Sequence, residues 1–313
     1  MWSVKLLLAA VTLGAVGART TAPISSTPQF IPANTPPLTP VSFRCDAKNF
    51  IVTGGSRGLG KCVARALAAQ GASAVLLTAR SAEAPAVLAE FAKDYPDCRV
   101  AYVSADGAEP EAGTAKIIEA ARELFGVGGE GEGGVVVHGL VNVAGVAWPR
   151  SNLEQITATE WNRMMTINVL APTLLSQAVS NEMKVAGIHG SIVHVGSIVA
   201  YGGSPIMNTY TVSKAALNAF TKVSAVELAE HRIRMNCVNM AWTLTDEENK
   251  QQTAEKGEDW LAQVEPTQLL GRLLREQDVA ATIGHLLESS MLTGGIYDIS
   301  PDFINGCLPH NVG

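Results

Sequence analysis

The stretch Asn49-Phe-Ile-Val-Thr-Gly-Gly-Ser-Arg-Gly-Leu-Gly60 decides the fold of this chain. Its first five residues predict a short buried strand. Four glycines follow within seven residues, and residues 61–70 then have the pattern of a helix that stops at Gly71. This order is typical of a turn that holds a pyrophosphate, because glycines permit close backbone approach and the helix N-terminus presents free N–H groups. The spacing differs from G-x-G-x-x-G, so a glycine-rich connection without a ligand is the alternative.

A second informative stretch is Tyr210-Thr-Val-Ser-Lys214, which lies thirteen residues after Ser197. Residues four apart in a helix share one face, so the phenol and the ammonium would point into the same cleft. A nearby positive charge favours phenolate and lowers the phenol pKa from its usual value of about 10. Ser197 ends a predicted buried strand, residues 191–197, where its hydroxyl would polarise a carbonyl. A phenol, an ammonium and a hydroxyl are the groups needed to move a proton to or from an alcohol oxygen. The alternative is that the Tyr-x-x-x-Lys pair arose by chance on a solvated helix.

Together these motifs resemble the short-chain dehydrogenases/reductases of the Rossmann type, over nearly all of the chain after residue 45. Asn142-Val-Ala-Gly145 is similar to the family's Asn-Asn-Ala-Gly segment, and Asn168 matches its helix-borne catalytic asparagine. The resemblance implies a catalytic set of Asn168, Ser197, Tyr210 and Lys214. It implies cofactor-binding residues at Thr53, Gly54, Ser56, Arg57, Gly58, Leu59, Gly60, Arg80, Asp106, Asn142, Ala144, Gly145, Tyr210, Lys214, Thr243 and Thr245.

Two positions depart from the family pattern. Val143 replaces the second asparagine of Asn-Asn-Ala-Gly, which predicts the loss of a polar tie between central strands. Ala241 stands where the family has a glycine beside the nicotinamide, so its methyl group would either crowd that pocket or shift the loop. Both changes put turnover in doubt more than cofactor binding.

Alternating strands and helices predict the fold class: α/β, a doubly wound parallel sheet (Rossmann fold) with helices on both faces, in a single domain. The predicted strands are residues 49–53, 74–77, 99–104, 135–143, 191–197, 234–239 and 295–299. The predicted helices are residues 61–70, 85–94, 111–125, a long helix starting at Thr157 and carrying Asn168, 208–231 and 278–288. Pro172 predicts a kink, and the glycine-rich residues 126–134 predict a flexible linker, since their two glutamates would repel a phosphate.

The chain divides into residues 1–45, an N-terminal targeting segment and linker, and residues 46–313, the Rossmann domain. The apolar run 6–18 is too short for a bilayer, which needs about 20 residues, and therefore predicts a signal sequence. Residues 19–44 contain Ser, Thr and Pro but no acid, which is typical of a transit segment. The predicted destination is an organelle interior, plastid or mitochondrion; a single signal peptide with a linker, and so the secretory pathway, is the alternative. No membrane span is expected in the mature chain.

Charge and cysteine content narrow the function classes. The net charge is −6 and no basic patch interleaved with aromatics occurs, which argues against nucleic-acid binding. Five scattered cysteines favour reduced thiols over a disulfide framework, and neither they nor the six histidines have metal-ligand spacing. No metal is assigned.

The residues at the end of the second strand indicate whether the chain prefers NAD or NADP. An acid there usually binds the ribose of NAD, but this chain has Leu77-Thr-Ala-Arg80. Arg80 would pair with a 2′-phosphate, and Arg57 supplies a second positive charge. The sequence therefore predicts NADP(H) as the preferred cofactor, with NAD(H) possible.

The predicted reaction is hydride transfer between the cofactor and a carbonyl or alcohol. Tyr210 would donate the proton, Lys214 would hold the ribose, and by resemblance Asn168 would fix a water. The segments 239–245, 259–261 and 271–274 resemble a branch with sugar and polyol dehydrogenases, and residues 242–266 predict one or two lid helices. A 3-oxoacyl-thioester reductase and a non-catalytic cofactor-binding scaffold are the alternatives. The resemblance also implies a homodimer or homotetramer built on the long helices.

Overall fold

The computed structural model describes residues 43–81, 85–129, 133–202 and 204–300. Almost all of the predicted targeting segment lies outside these ranges. Its last residues do not behave as a linker: Phe43 and Cys45 are buried in the core, and the Cys45 N–H donates to the Gln70 carbonyl over 2.8 Å. The residues directly before the predicted boundary at residue 46 therefore pack against the domain.

Eleven strands occur within the described part of the chain. They are β1 (Asn49–Thr53), β2 (Ala74–Ala79), β3 (Arg99–Ser104), β4 (Val127–Gly128), β5 (Gly134–Val135), β6 (Gly139–Asn142), β7 (Ser191–Ser197), β8 (Arg234–Met240), β9 (Thr243–Leu244), β10 (Leu274–Arg275) and β11 (Ile296–Ile299).

Seven of these strands form one parallel sheet in the order β11-β8-β7-β6-β1-β2-β3. The chain starts in the middle at β1, builds outward to β3, and then returns to the other side of β1 at β6. The strand order therefore reverses between β1 and β6, and ligands of such sheets bind beyond the carboxyl ends at that point.

Nine α-helices occur in the same described ranges. They are α1 (Gly58–Ala69), α2 (Pro85–Asp94), α3 (Pro110–Phe125), α4 (Ala158–Met165), α5 (Ala171–Val185), α6 (Asn208–Leu228), α7 (Asp246–Lys256), α8 (Trp260–Val264) and α9 (Glu276–Glu288). Of the predicted helices, 61–70 begins three residues earlier than expected, and 208–231 ends in a 3₁₀ turn, Ala229–His231. None of the helices described is long and apolar enough to cross a membrane.

Two hydrophobic cores cover the two faces of the sheet. One is formed with α1, α2 and α9, and the other with α3, α5 and α6. Successive residues of a strand serve opposite faces: Phe50 and Val52 belong to the first core, while Ile51 belongs to the second. The fully apolar strands are thus explained by burial on both faces, and the single Rossmann-like domain predicted from the sequence is confirmed.

The fourth predicted strand, residues 135–143, is only partly right. Val135 pairs with Val127 in a two-residue antiparallel ladder, and the central strand β6 starts at Gly139. Between them, the Val137 N–H donates to the Val135 carbonyl over 2.8 Å, which turns the chain. A continuous apolar run shows that a segment is buried but does not show where its pairing begins.

The helix expected to carry Asn168 is interrupted. Thr157 caps α4 by accepting from the Glu160 N–H at 3.2 Å, as predicted. A π-helical turn, Thr166–Leu170, then separates α4 from α5, and Pro172 lies in the first turn of α5. The irregularity thus precedes the proline, and it contains Asn168. Single π turns inside helices frequently mark functional sites.

Candidate active site

The glycine turn occupies the carboxyl end of β1, where the strand order reverses. Gly54 and Gly58 have positive φ values of 68° and 53°, a conformation that favours glycine. Arg57 is the N-cap residue of α1 and makes no side-chain capping bond. The N–H groups of the first helical turn are therefore available to an anion. Ser56 and Leu59 lie in the same turn, with Leu59 buried.

Close packing explains the glycine at position 60. A Cβ there would overlap the carbonyl oxygen of Gly54, so only glycine lets α1 begin against the turn. Thr53 ties this turn to the neighbouring strand, because its hydroxyl accepts from the N–H groups of Val143 and Ala144, both at 3.0 Å. The two chain segments at the reversal point are thereby held together.

The two arginines predicted to bind a 2′-phosphate are both exposed. Arg80 directly follows β2, as the sequence predicted. Arg57 forms an ion pair with Glu247 at the start of α7, with 3.0 Å between Nη1 and Oε2. The sequence did not indicate this partner, which is 190 residues away in the chain.

Four other predicted cofactor residues use their side chains within the protein. Asp106 accepts from the Ala108 N–H at 2.9 Å, and Thr245 caps α7 by accepting from the Glu248 N–H at 3.1 Å. Thr243 is buried and donates to the Ala241 carbonyl at 2.9 Å. The buried Asn142 points into the domain, as described below. Ala144 and Gly145 are exposed beyond the end of β6.

The predicted catalytic groups come together at the ends of β7 and α6. Tyr210 and Lys214 lie one helical turn apart on α6, with Nζ of the lysine 5.7 Å from the centre of the tyrosine ring. The Tyr210 phenol shares a hydrogen bond with the Ser197 hydroxyl. The Lys214 ammonium donates to the Val195 carbonyl over 2.8 Å, so β7 fixes both the serine and the lysine.

Burial dominates the protonation of this group. It raises the pKa of the Tyr210 phenol to about 12, and the hydrogen bond to Ser197 acts in the opposite direction. It also lowers the pKa of the Lys214 ammonium to about 8. The sequence predicted a phenol pKa below its usual value; in this structure the pKa is higher, because removal from water disfavours the phenolate. Tyr210 is therefore a neutral proton donor near pH 7.

Asn168 holds the loop beyond β6 against this group. Its Oδ1 accepts from the Val146 N–H and its Nδ2 donates to the Val146 carbonyl, each over 2.8 Å. Nδ2 also donates to the Ser213 hydroxyl, which donates to the Tyr210 carbonyl over 2.7 Å. A Cβ on Gly145 would lie 3.2 Å from the Asn168 Oδ1 and 3.4 Å from the Lys214 Nζ. Asn168, Lys214 and the loop after β6 therefore form one packed unit.

His194 lies on the strand that ends at Ser197, and it is a packed histidine, as its place in that strand indicates. It is fully buried on β7, and its Nδ1 lies 3.2 Å from the Asn142 Nδ2, which also contacts the Ser176 hydroxyl. Burial, and secondarily the Lys214 charge, lowers the pKa of His194 to about 3. The neutral imidazole thus provides a polar tie between β6 and β7, which the sequence predicted would be lost with Val143.

The one or two helices predicted for residues 242–266 are present as α7 and α8. Trp242 and Trp260 stack with ring centres 5.7 Å apart. The Trp242 indole N–H donates to Glu248 over 2.7 Å, and the Trp260 indole N–H donates to Asn249 over 3.0 Å. These contacts attach α7 to the end of β8, next to the proposed nicotinamide position at Ala241.

Polar groups also lie beside the turn that follows Ser197. The Tyr201 hydroxyl contacts both carboxylate oxygens of Asp298, at 3.0 and 3.1 Å, and the Asn239 amide donates to the same carboxylate over 3.1 Å. Tyr201 and Asp298 are exposed. In the part of the chain that is described, no three His, Cys, Asp or Glu side chains come together as metal ligands.

The glycine turn at the start of α1 and the Ser197–Tyr210–Lys214 group, with Ser197 and Lys214 buried and Tyr210 partly exposed, fit a dinucleotide whose reactive end lies beside Tyr210. This fold and site define a nicotinamide-dependent oxidoreductase class. The family model described as short chain dehydrogenase matches residues 48–256, and the chain belongs to that family.

Individual relatives agree with this assignment. The chain is 30% identical over 273 residues to a 3-alpha-(or 20-beta)-hydroxysteroid dehydrogenase of Mycobacterium bovis, covering 87% of this chain and 94% of the relative. It is 31% identical over 250 residues to an L-rhamnose 1-dehydrogenase (NADP(+)) of Thermoplasma acidophilum, with 79% and 92% covered. The crystal structure of L-sorbose reductase from Gluconobacter frateurii, complexed with NADPH and L-sorbose, matches with a TM-score of 0.75 at 25% identity, covering 84% of this chain and 98% of that one.

Proposed function

We propose that this protein is an NADP(H)-preferring oxidoreductase that interconverts a secondary alcohol and a ketone or aldehyde, with a polar, sugar- or polyol-like substrate. The observation that carries the proposal is the grouping of the buried Ser197 and Lys214 with the partly exposed Tyr210 at the carboxyl end of the sheet. A carbonyl oxygen placed between the two hydroxyl groups meets a hydrogen-bond donor and a proton donor at once.

The chain's own residues account for the proton and for the orientation of substrate. When bound, the nicotinamide supplies or accepts the hydride. Ser197 holds the substrate oxygen, and Tyr210 donates its phenolic proton to that oxygen in the reduction direction. Lys214, fixed by the Val195 carbonyl, stabilises the phenolate that remains. Asn168 keeps the loop after β6 in place against Lys214, and a positioned donor of this kind contributes about 10²- to 10⁴-fold to the rate.

The cofactor would lie along the carboxyl edge, with its pyrophosphate on residues 54–60. Arg80, and Arg57 once free of Glu247, are the groups for a 2′-phosphate, since planar guanidinium groups bind phosphate in a bidentate, charge-assisted way. The NADP(+)-named rhamnose relative and the NADPH-complexed sorbose reductase support this preference.

The substrate class is supported by two observations. Relatives named for galactitol, rhamnose, sorbose and xylo-hexulose act on polyols and sugars. In this chain the exposed Tyr201 and Asp298 place a hydroxyl and a carboxylate by the turn that follows Ser197, and such groups suit a molecule with several hydroxyl groups. The hydroxysteroid relative makes an apolar alcohol the competing substrate.

Apolar side chains on the surface of α6 bear on the oligomeric state. The surface of α6 exposes Val212 and, about three turns further on, Val223 and Val226, and a groove of about 310 Å³ lies between α5 and α6. Exposed apolar groups beside a groove suit a homodimer or homotetramer. Light scattering of the purified protein tests this oligomeric state.

The composition of residues 1–45 supports delivery to a plastid or mitochondrion, or entry into the secretory pathway. A fluorescent fusion of that segment distinguishes these destinations.

The first experiment is a nicotinamide fluorescence titration of the purified protein with NADPH and with NADH. Selective NADPH binding, weakened by Arg80→Ala, is expected. Oxidation of NADPH with a panel of ketoses, a 3-oxoacyl thioester and a ketosteroid then identifies the substrate class. Binding of NADPH with no turnover on the panel would favour the non-catalytic scaffold, and binding of neither cofactor by folded protein would refute the proposal.

A further inference from the structure

The ion pair between Arg57 and Glu247 joins the glycine turn to the lid. Arg57 is the N-cap of α1 and Glu247 lies in the first turn of α7. Both side chains are largely exposed, at 71% and 65%, and their charged atoms are 3.0 Å apart. Arginine is always charged in proteins, so its guanidinium attracts an anionic group, either a carboxylate or a phosphate.

Two neighbouring carboxylates at the start of α7 have different partners. Asp246, Glu247 and Glu248 follow one another and favour the positive end of the helix dipole. Glu248 is engaged by the Trp242 indole and by the Gln252 amide, the latter at 3.0 Å. Glu247 instead points at Arg57, so a carboxylate occupies one of the two guanidinium groups required for a 2′-phosphate.

We propose that Glu247 is a specificity-determining residue for the cofactor, because it competes with the 2′-phosphate of NADP(H) for Arg57. This inference rests on the proposed function. NADP(H) must displace the carboxylate to reach Arg57, whereas NAD(H) carries no group that requires this exchange. A phosphate with up to two negative charges and three acceptor oxygens binds the Arg57 guanidinium more strongly than a carboxylate does.

The exchange also affects the lid. When the 2′-phosphate takes Arg57, the carboxylate of Glu247 and the start of α7 lose their contact with the glycine turn. The Trp242–Glu248 contact keeps α7 attached to β8 in either case. NADP(H) and NAD(H) would therefore leave α7 in different environments, even though the catalytic groups are the same for both.

The test compares Glu247→Gln with Glu255→Gln by fluorescence titration of both cofactors. Glu255 lies on the same helix and contacts the Gln251 amide, so its replacement removes the same charge without touching Arg57. Competition by an exposed carboxylate predicts that Glu247→Gln tightens NADPH binding by about two- to fivefold, with NADH affinity unchanged. Glu255→Gln is expected to change neither affinity. The gain in Glu247→Gln should disappear when Arg57→Ala is added, and adenosine 2′,5′-bisphosphate should show the same pattern as NADPH.

The outcomes separate this inference from the proposed function. Wild-type protein that binds no NADPH, or prefers NADH, overturns both. Selective NADPH binding that Glu247→Gln leaves unchanged overturns the competition alone. An equal gain for NADPH and NADH also overturns it, since general repulsion of the pyrophosphate by the lid would then be the cause. A gain that persists in the Arg57→Ala background excludes Arg57 as the contested group.

Discussion

The two ends of the site are built in opposite ways. At the catalytic end Asn168 and Lys214 are almost fully buried, 1% and 4% exposed, and each is fixed by hydrogen bonds to main-chain atoms. At the proposed phosphate end Arg57 and Arg80 are exposed, and Arg57 pairs with another exposed side chain, that of Glu247. The geometry proposed for proton transfer is therefore formed in advance, whereas the charges proposed to select the cofactor are exposed and can change partners.

The physical reason is the different cost of an unpaired group in the two places. A buried polar group without a partner costs about 1–3 kcal/mol, so the catalytic end tolerates only one arrangement. An exposed ion pair contributes about 0–1 kcal/mol, so a partner can be exchanged with little loss. Rigid placement serves a reaction that depends on distance, and exchangeable charges serve selection of a ligand.

The largest effect is expected for Tyr210→Phe, which removes the proton donor from the rigid end. We expect turnover to fall by about 10²- to 10⁴-fold while NADPH affinity stays the same, since the ring and its packing remain. Steady-state rates and fluorescence titration measure the two quantities. The matched control is Tyr95→Phe, because Tyr95 directly follows α2 and lies away from the site. An unchanged rate would remove Tyr210 from the mechanism.

The second effect concerns the pH dependence of stability through His194. Its pKa in the folded protein is about 3, below the unfolded value of about 6.5, so the unfolded chain binds the extra proton between these values. The contribution is fully present above pH 6.5 and is lost as the pH falls toward 3, by up to roughly 5 kcal/mol.

Urea unfolding between pH 7 and pH 4 measures this loss. His194→Asn should flatten the dependence of the unfolding free energy on pH, while replacement of the exposed His189 by Asn should leave the slope as in the wild type. Parallel curves for wild type and His194→Asn would show that the buried imidazole does not control acid stability.

The smallest effect is expected at the exchangeable end. Glu247→Gln removes one partner of an exposed ion pair, so the free energy of unfolding should change by less than about 1 kcal/mol, even though NADPH affinity changes. Thermal unfolding without ligand should show a Tm shift of only about 2–4 °C or less. A larger loss would mean that the Arg57–Glu247 contact stabilises the fold, and the contrast between the two ends would then fail.

Much of this fold was accessible from local sequence patterns. The glycine turn after Asn49–Thr53 and the alternation of apolar strands with amphipathic helices predict the parallel sheet correctly. The strand predicted at residues 135–143 was too long, because an apolar run does not reveal the turn between Val135 and Val137. The π turn at Asn168 was also missed, since it depends on how α4 and α5 pack and not on a local composition.

The sequence by itself determined the family, the sheet and the identity of the Ser197, Tyr210 and Lys214 group, because these depend on residue types at short, fixed spacing. Only the tertiary structure decided that His194 supports Asn142, that burial raises the pKa of Tyr210, and that Glu247 holds Arg57. Each of these involves groups that are far apart in the chain or a degree of burial. Such relations exist only after the chain has folded, because folding alone sets the distance between two side chains and their separation from water.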